Sequence, residues 1–137
     1  MRERLIGNWR LISYETTETG GRRGKPYGDA IGRLMYDDRG NMAGQVMRPD
    51  RARVELGDGN AQQIRAAYLG YIAYFGTYEI AADGENVTHH VQGSLNPAWV
   101  GGNQVRRMRF EGDRLVLSAD VRKKDEIVTH VLTWERC

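Results

Sequence analysis

The sequence predicts an all-β protein: an eight-stranded antiparallel up-and-down barrel with one short helix. Three observations carry this expectation. Seventeen glycines and seven tyrosines are spread among short runs of alternating apolar and polar residues, the period of strands whose side chains point to opposite faces in turn. Only one segment, Ala61 to Leu69, has helical character. The runs are joined by short turn-like links, which favour antiparallel neighbours over crossovers.

Each element has its own justification. From Asn8 to Thr17, Trp9, Leu11 and Ser13 alternate with Arg10, Ile12 and Tyr14, giving a strand with apolar groups on both faces. Thr19 to Asp29 (TGGRRGKPYGD) is a loop by composition. Ile31 to Tyr36 and Met42 to Met47 form a hairpin. Its link, Asp37-Asp38-Arg39-Gly40, supplies a glycine for positive φ. Pro49 ends the second strand because proline has no N–H for the ladder. Arg51 to Asn60 reads as loop. The helix follows, with Asn60 as N-cap and Gly70 as stop. Its Ile64, Ala67 and Tyr68 form one apolar stripe, expected to pack on an end or side of the barrel.

The β pattern then resumes. Strands are expected at Tyr71 to Ala81, Val87 to Leu95, Asn103 to Phe110, Arg114 to Ala119 and Glu126 to Arg136. Turns fall at Asp83-Gly84, Pro97 to Gly102, Glu111-Gly112-Asp113 and Lys123-Lys124-Asp125. Eight meandering strands close naturally into a barrel, which removes exposed edges. A barrel of ~8 strands holds either packed side chains or one small ligand. The 137 residues suit a single domain, 1–137, with one core.

Composition narrows the function classes. A chain that is 40% hydrophobic and 28% charged is neither a disordered tail nor a membrane protein. No apolar run approaches the ~20 residues of a membrane span. The start, MRERLIGNWRL, has no apolar leader core, so no secretory signal is expected. Cys137 is the single cysteine, which fits a reducing, cytoplasmic compartment. The net charge of +2 comes from interspersed charges rather than a basic stripe, so no nucleic-acid partner is expected.

The densest polar stretch is Thr88 to Arg109 (THHVQGSLNPAWVGGNQVRRMR). On a strand, His89 and His90 must point to opposite faces, and so must Arg106 and Arg107. If the apolar face of Val87 to Leu95 points inward, His89 enters the lumen and His90 meets water. A polar cavity reverses the assignment, because a register error of one residue exchanges the faces. The apolar-inside assignment is preferred. Because the two histidines diverge, no metal site is expected. Arg107 shares a face with Val105 and Arg109, and Arg106 shares one with Gln104, Met108 and Phe110. An inward arginine is suited to gripping a carboxylate or enolate, or to a buried ion pair with Glu15 or Glu79. Tyr74, Gly76 and Tyr78 share one face, where glycine leaves room between projecting rings, and Tyr36 faces the same space. Trp99 sits in the Asn96 to Gly102 corner that joins the histidine and arginine strands, suited to capping the barrel mouth or to plugging it. Met35, Met42, Met47 and Met108 could supply an adaptable apolar lining. Each of these groups also has a plain role as core filling.

Gly7-Asn8-Trp9 resembles the Gly-X-Trp signature that opens lipocalins, where the Trp plugs the barrel floor. The ordered segments GNWRLISYE, GRLMYDDRGNMAGQVMRPDR, YFGTYEI, VTHHVQGSLNPAWVGGNQVRR and HVLTWER are similar to the small stand-alone lipocalin-like domain family of bacteria and fungi. This resemblance covers essentially the whole chain. It implies an eight-stranded barrel with a cavity, in a family where some related barrels bind hydrophobic ligands and some act as cyclases or isomerases of secondary metabolism.

The expected function is binding of a small, largely hydrophobic molecule, with Tyr36, Tyr74, Tyr78, His89, Trp99 and Arg107 as ligand-binding residues. No cofactor and no membrane partner are expected. No Ser-His-Asp order or paired-carboxylate spacing is recognisable, so no catalytic residue is assigned. A cofactor-independent cyclase or isomerase using the same cavity is the alternative. A ligand-free interaction module or homodimer is a third reading.

Overall fold

The computed structural model describes residues 2–137 apart from Leu56, Asp58 and Gly59. The part of the expected 51–60 loop at those three positions lies outside the described residues. A short helix α1 (Arg2–Leu5) leads into β1 (Gly7–Glu18), the two-residue β2 (Arg23–Gly24), β3 (Ile31–Tyr36) and β4 (Asn41–Met47). Helix α2 (Ala61–Leu69) interrupts the meander. Then come β5 (Tyr71–Ile80), β6 (Asn86–Ser94), β7 (Asn103–Glu111), β8 (Arg114–Lys123) and β9 (Glu126–Arg136). The long strands run antiparallel in the order β1-β3-β4-β5-β6-β7-β8-β9, and β9 pairs back with β1 to close the barrel. The eight expected strands are therefore the eight staves. β2 is an extra rung on the end of β1, inside the segment expected to be loop.

The β3–β4 turn forms for the anticipated reason, with Gly40 at φ 88°. Asp37 Oδ1 also accepts from the backbone N–H groups of Arg39 and Asn41, at 2.9 and 2.8 Å. β8 runs four residues beyond its expected end at Ala119, to Lys123, because β9 offers partners out to Glu126.

Two irregularities aim side chains at the interior. The β1–β9 register shifts between Leu11 and Ser13. Trp9 and Leu11 are buried before the bulge and Tyr14 after it, while Ile12 is turned out. Simple alternation puts Tyr14 on the opposite face from Trp9; one extra residue brings both inward. A second shift, between Phe75 and Gly76, lets β6 cross very close to β5. A Cβ on Gly76 would sit 1.8 Å from the backbone oxygen of His90. The expected reason for this glycine, room for flanking tyrosines, is therefore corrected: it admits the neighbouring strand.

One end of the barrel is closed. Leu5, Trp9, Val87 and Leu115 are almost fully buried there. The Trp9 indole N–H donates to the Leu5 carbonyl at 2.9 Å. The guanidinium of Arg136 lies 4.4 Å from the centre of the Trp9 ring, and that of Arg4 lies 4.1 Å from the centre of the Phe110 ring. Gly7, at φ 139°, makes the bend between α1 and β1.

Helix α2 has the anticipated caps: Asn60 accepts from the Gln63 N–H at 2.8 Å, in a capping box. The expected docking of its apolar stripe is not observed. Ile64 is 52% exposed and Tyr68 40% exposed. The helix is held instead through main-chain acceptors: the Tyr27 hydroxyl donates to Leu69 O at 2.9 Å and Arg51 donates to Ala67 O at 3.3 Å.

Candidate functional site

A cavity of about 290 Å³ occupies the barrel above the closed floor. Its walls are mostly apolar, including Leu34, Val46, Ile72, Leu117, Leu132 and Trp134. Val121 lines it while being 51% exposed, so the cavity reaches solvent at that end.

The polar side is built on β5, β6 and β7. His89 is 2% exposed, and its partner across the β5–β6 ladder is Tyr78. The inward face from Val87 to Val91 is thus the apolar one, and His90 lies outside with Glu79 and Asn103; past the register shift the parity changes, and Leu95 is exposed. Both ring nitrogens of His89 meet tyrosine hydroxyls: Nε2 is 2.6 Å from Tyr36 Oη and Nδ1 is 2.6 Å from Tyr74 Oη. Burial, with smaller contributions from the charges of Arg106 and His90, holds the imidazole pKa down at about 3, so it is neutral. A neutral imidazole has one donor and one acceptor. Tyr36 is fully enclosed and has no other acceptor among the described residues, so its hydroxyl donates to Nε2. Nδ1–H then donates to Tyr74, whose own hydroxyl proton is free to point into the cavity. Burial raises the pKa of both phenols, and Tyr36 lies well above the usual range.

A second such pair lies across the cavity. Tyr14 Oη is 2.7 Å from His130 Nδ1. Burial pushes Tyr14 up to about 12 and lowers His130. Trp99 is presented by a single 3-10 turn, Pro97–Trp99, whose start is capped by Asn96 Oδ1 accepting from the Ala98 N–H at 3.1 Å. Its ring meets Tyr74 edge-on, with centroids 6.0 Å apart.

Of the six residues expected at the site, Tyr74, His89 and Trp99 line the cavity. Tyr36 lies behind His89 and reaches the cavity only through it. Tyr78 belongs to the floor: its hydroxyl donates to Asp37 O at 2.7 Å, and its ring packs on Tyr36 with centroids 4.9 Å apart. Arg107 is corrected outright. It points outside and makes a two-pronged ion pair with Asp120 at 3.0 and 3.1 Å. Arg106 is the arginine that lines the cavity. The reason is the burial on β7, where Gln104, Arg106, Met108 and Phe110 form the less exposed set. The methionine lining is also absent: Met42 and Met108 lie in the buried core and Met35 is exposed.

Tyr14, His130 and Trp134 were not anticipated as lining residues, and Gln104 and Arg106 lie on the face of their strand that was weighed but not chosen. Arg106 could have been found from Met108 and Phe110, the apolar residues sharing its face. Tyr14 had no such signal, since the β1 bulge decides its direction.

A closed antiparallel meander around one lined cavity defines the class of small up-and-down barrels with an internal site. The chain belongs to the lipocalin-like domain family, whose model matches residues 6–137. It is 35% identical over 86 residues to the 4'-hydroxy-3'-methoxypropiophenone carrier protein ppsC of Aspergillus oryzae, a match covering 56% of this chain and 78% of that protein. A crystal structure of a mutant of the fluorescent protein UnaG aligns with a TM-score of 0.44 at 13% identity, over 100% of this chain and 99% of that one. Among the described residues no helix is long and apolar enough to cross a membrane.

Proposed function

We propose that the barrel binds one small, largely apolar molecule, contacted by Tyr74, His89 and Trp99 and by the apolar walls. The observation that carries this reading is the cavity itself: about 290 Å³, apolar over most of its lining, with hydrogen-bonding groups gathered on one side. That is the arrangement of small-molecule sites, near the lower end of their usual range of ~300–1000 Å³. A packed interior would have favoured the ligand-free module instead. The relative named as a carrier of an aryl ketone supports the same reading. A cytoplasmic location belongs to this proposal, and the single cysteine, which rules out an intrachain disulfide, fits it.

The cyclase or isomerase reading draws on the Tyr36–His89–Tyr74 chain at the wall of a largely apolar cavity. Proton transfer is most effective when the group's pKa lies near the working pH. His89, at about 3, and Tyr14, at about 12, both lie far from neutrality, which favours holding over turnover.

The test is a tryptophan-fluorescence titration with small aryl ketones, beginning with 4'-hydroxy-3'-methoxypropiophenone. The wild type is compared with Ala119→Phe, which fills the cavity. Saturable one-to-one binding, weakened at least roughly tenfold in the filled variant, is expected. Binding that ignores the filling would place any ligand elsewhere.

A further inference from the structure

We propose that the molecule this cavity receives is an organic monoanion: an aromatic or aliphatic body carrying one negative oxygen centre, a carboxylate or an acidic enol or phenol, seated against the Arg106 guanidinium and the Tyr74 hydroxyl. This rests on the binding reading above and specifies its chemistry.

Arg106 is half-buried and faces the cavity, yet among the described residues its hydrogen-bond partners are neutral: the backbone oxygen of Val105 at 3.2 Å, Gln104 Oε1 at 3.0 Å and the Tyr74 hydroxyl oxygen. Among the described residues no carboxylate lies within 4.0 Å of it, although its neighbour Arg107 has Asp120 and Arg109 has Glu111. Glu79 lies outside with His90. Withdrawing a cation from water without a partner is costly, and a ligand oxyanion removes that cost.

The surrounding groups do not compensate the charge. His89 and His130 are neutral bases and Tyr14 and Tyr74 are neutral phenols, all held so chiefly by burial. The cavity therefore carries one net positive charge. It is also richer in free donors than in free acceptors. The carbonyl oxygens of both lining glutamines are occupied, Gln104 by Arg106 and Gln45 by the Tyr71 hydroxyl at 2.6 Å. The Tyr74 hydroxyl proton is uncommitted, and the buried Trp134 Nε1–H has no partner among the described residues. A site of free donors around one unmatched cation is complementary to an anion with an apolar body.

The experiment is isothermal titration calorimetry at about pH 7.5 with 2-naphthoate, 4-phenylbutyrate and octanoate, each set against its methyl ester. It uses wild type, Arg106→Met and Arg106→Lys. The anions are expected to bind the wild type roughly tenfold or more tightly than their esters, as a charge-assisted hydrogen bond would give. Arg106→Met is expected to erase the difference and Arg106→Lys to keep part of it. Esters binding as well as anions would overturn the proposal while leaving the cavity a ligand site. An anion preference surviving in Arg106→Met would overturn the role of Arg106. Failure of every acid and every ester to bind would overturn the binding reading itself. Should Arg106→Met not fold, the wild-type ratio and Arg106→Lys decide the matter.

Discussion

His89 and its two tyrosines make the sharpest statements at the scale of single residues. The imidazole is neutral when folded, with its pKa held near 3 by burial, against about 6.5 in the unfolded chain. Below pH 6.5 the unfolded state therefore binds a proton that the native state refuses, so stability falls as the pH falls from 6.5 toward 3 and is level above 7. At pH 4.5 the loss is roughly 3 kcal/mol. His130 adds to it in the same direction. Urea midpoints between pH 4.5 and 7.5 measure this slope, and His89→Gln should flatten most of it. Tyr36→Phe should cost about 1–3 kcal/mol, because it strands the Nε2 lone pair in a closed interior. Tyr74→Phe should cost less stability and more ligand affinity, since Nδ1–H then faces a cavity that water can enter. Equal stability losses in the two variants would contradict the assigned direction of the hydrogen bonds. His89 was legible from the sequence because an apolar set, Val87, Val91 and Leu95, shares its parity. The same logic applied to β7 favours Arg106 through Met108 and Phe110. Choosing Arg107 put Val105 inward instead, and the structure leaves Val105 54% exposed.

At the scale of elements, strand positions and turns were readable because glycine and aspartate mark the corners and alternation marks the staves. The bulges were not. Nothing in Leu11-Ile12-Ser13 announces an extra residue; the shift lies within the pairing of Trp9 to Glu18 with β9. Tyr14 consequently changed face unannounced. Helix α2 was correctly bounded from its capping residues, but its stripe was misread, because local periodicity does not say whether a partner surface exists. Gly7 is the most demanding backbone position. At φ 139° it disfavours any side chain, and a built Cβ would lie 2.5 Å from Arg136 Nη1, so that guanidinium would have to shift. Gly7→Ala should destabilise by about 1–3 kcal/mol and loosen the bond from Arg136 to Ile6 O, which is 2.8 Å long. Chemical denaturation checks the first effect and loss of amide protection near Ile6 the second. A Gly7→Ala protein as stable as its parent would mean the bend at Gly7 can relax. This is the physical content of the Gly-X-Trp opening: glycine turns the chain so that α1 can cap Trp9.

For the whole molecule, the eight staves and their closure were legible because short links leave few topologies and a closed sheet has no edges to protect. Whether the barrel was filled or hollow was not legible. That depends on the inward set of every strand at once, and one bulge moves a large aromatic ring. The hollow is where the account is most exposed. The protein purified from its own host should carry one small organic molecule per chain, seen by native mass spectrometry, and the Ala119→Phe variant prepared alongside should lack it. An adduct retained unchanged in the filled variant, or none in either protein, would contradict the claim that the interior of this barrel is a ligand site.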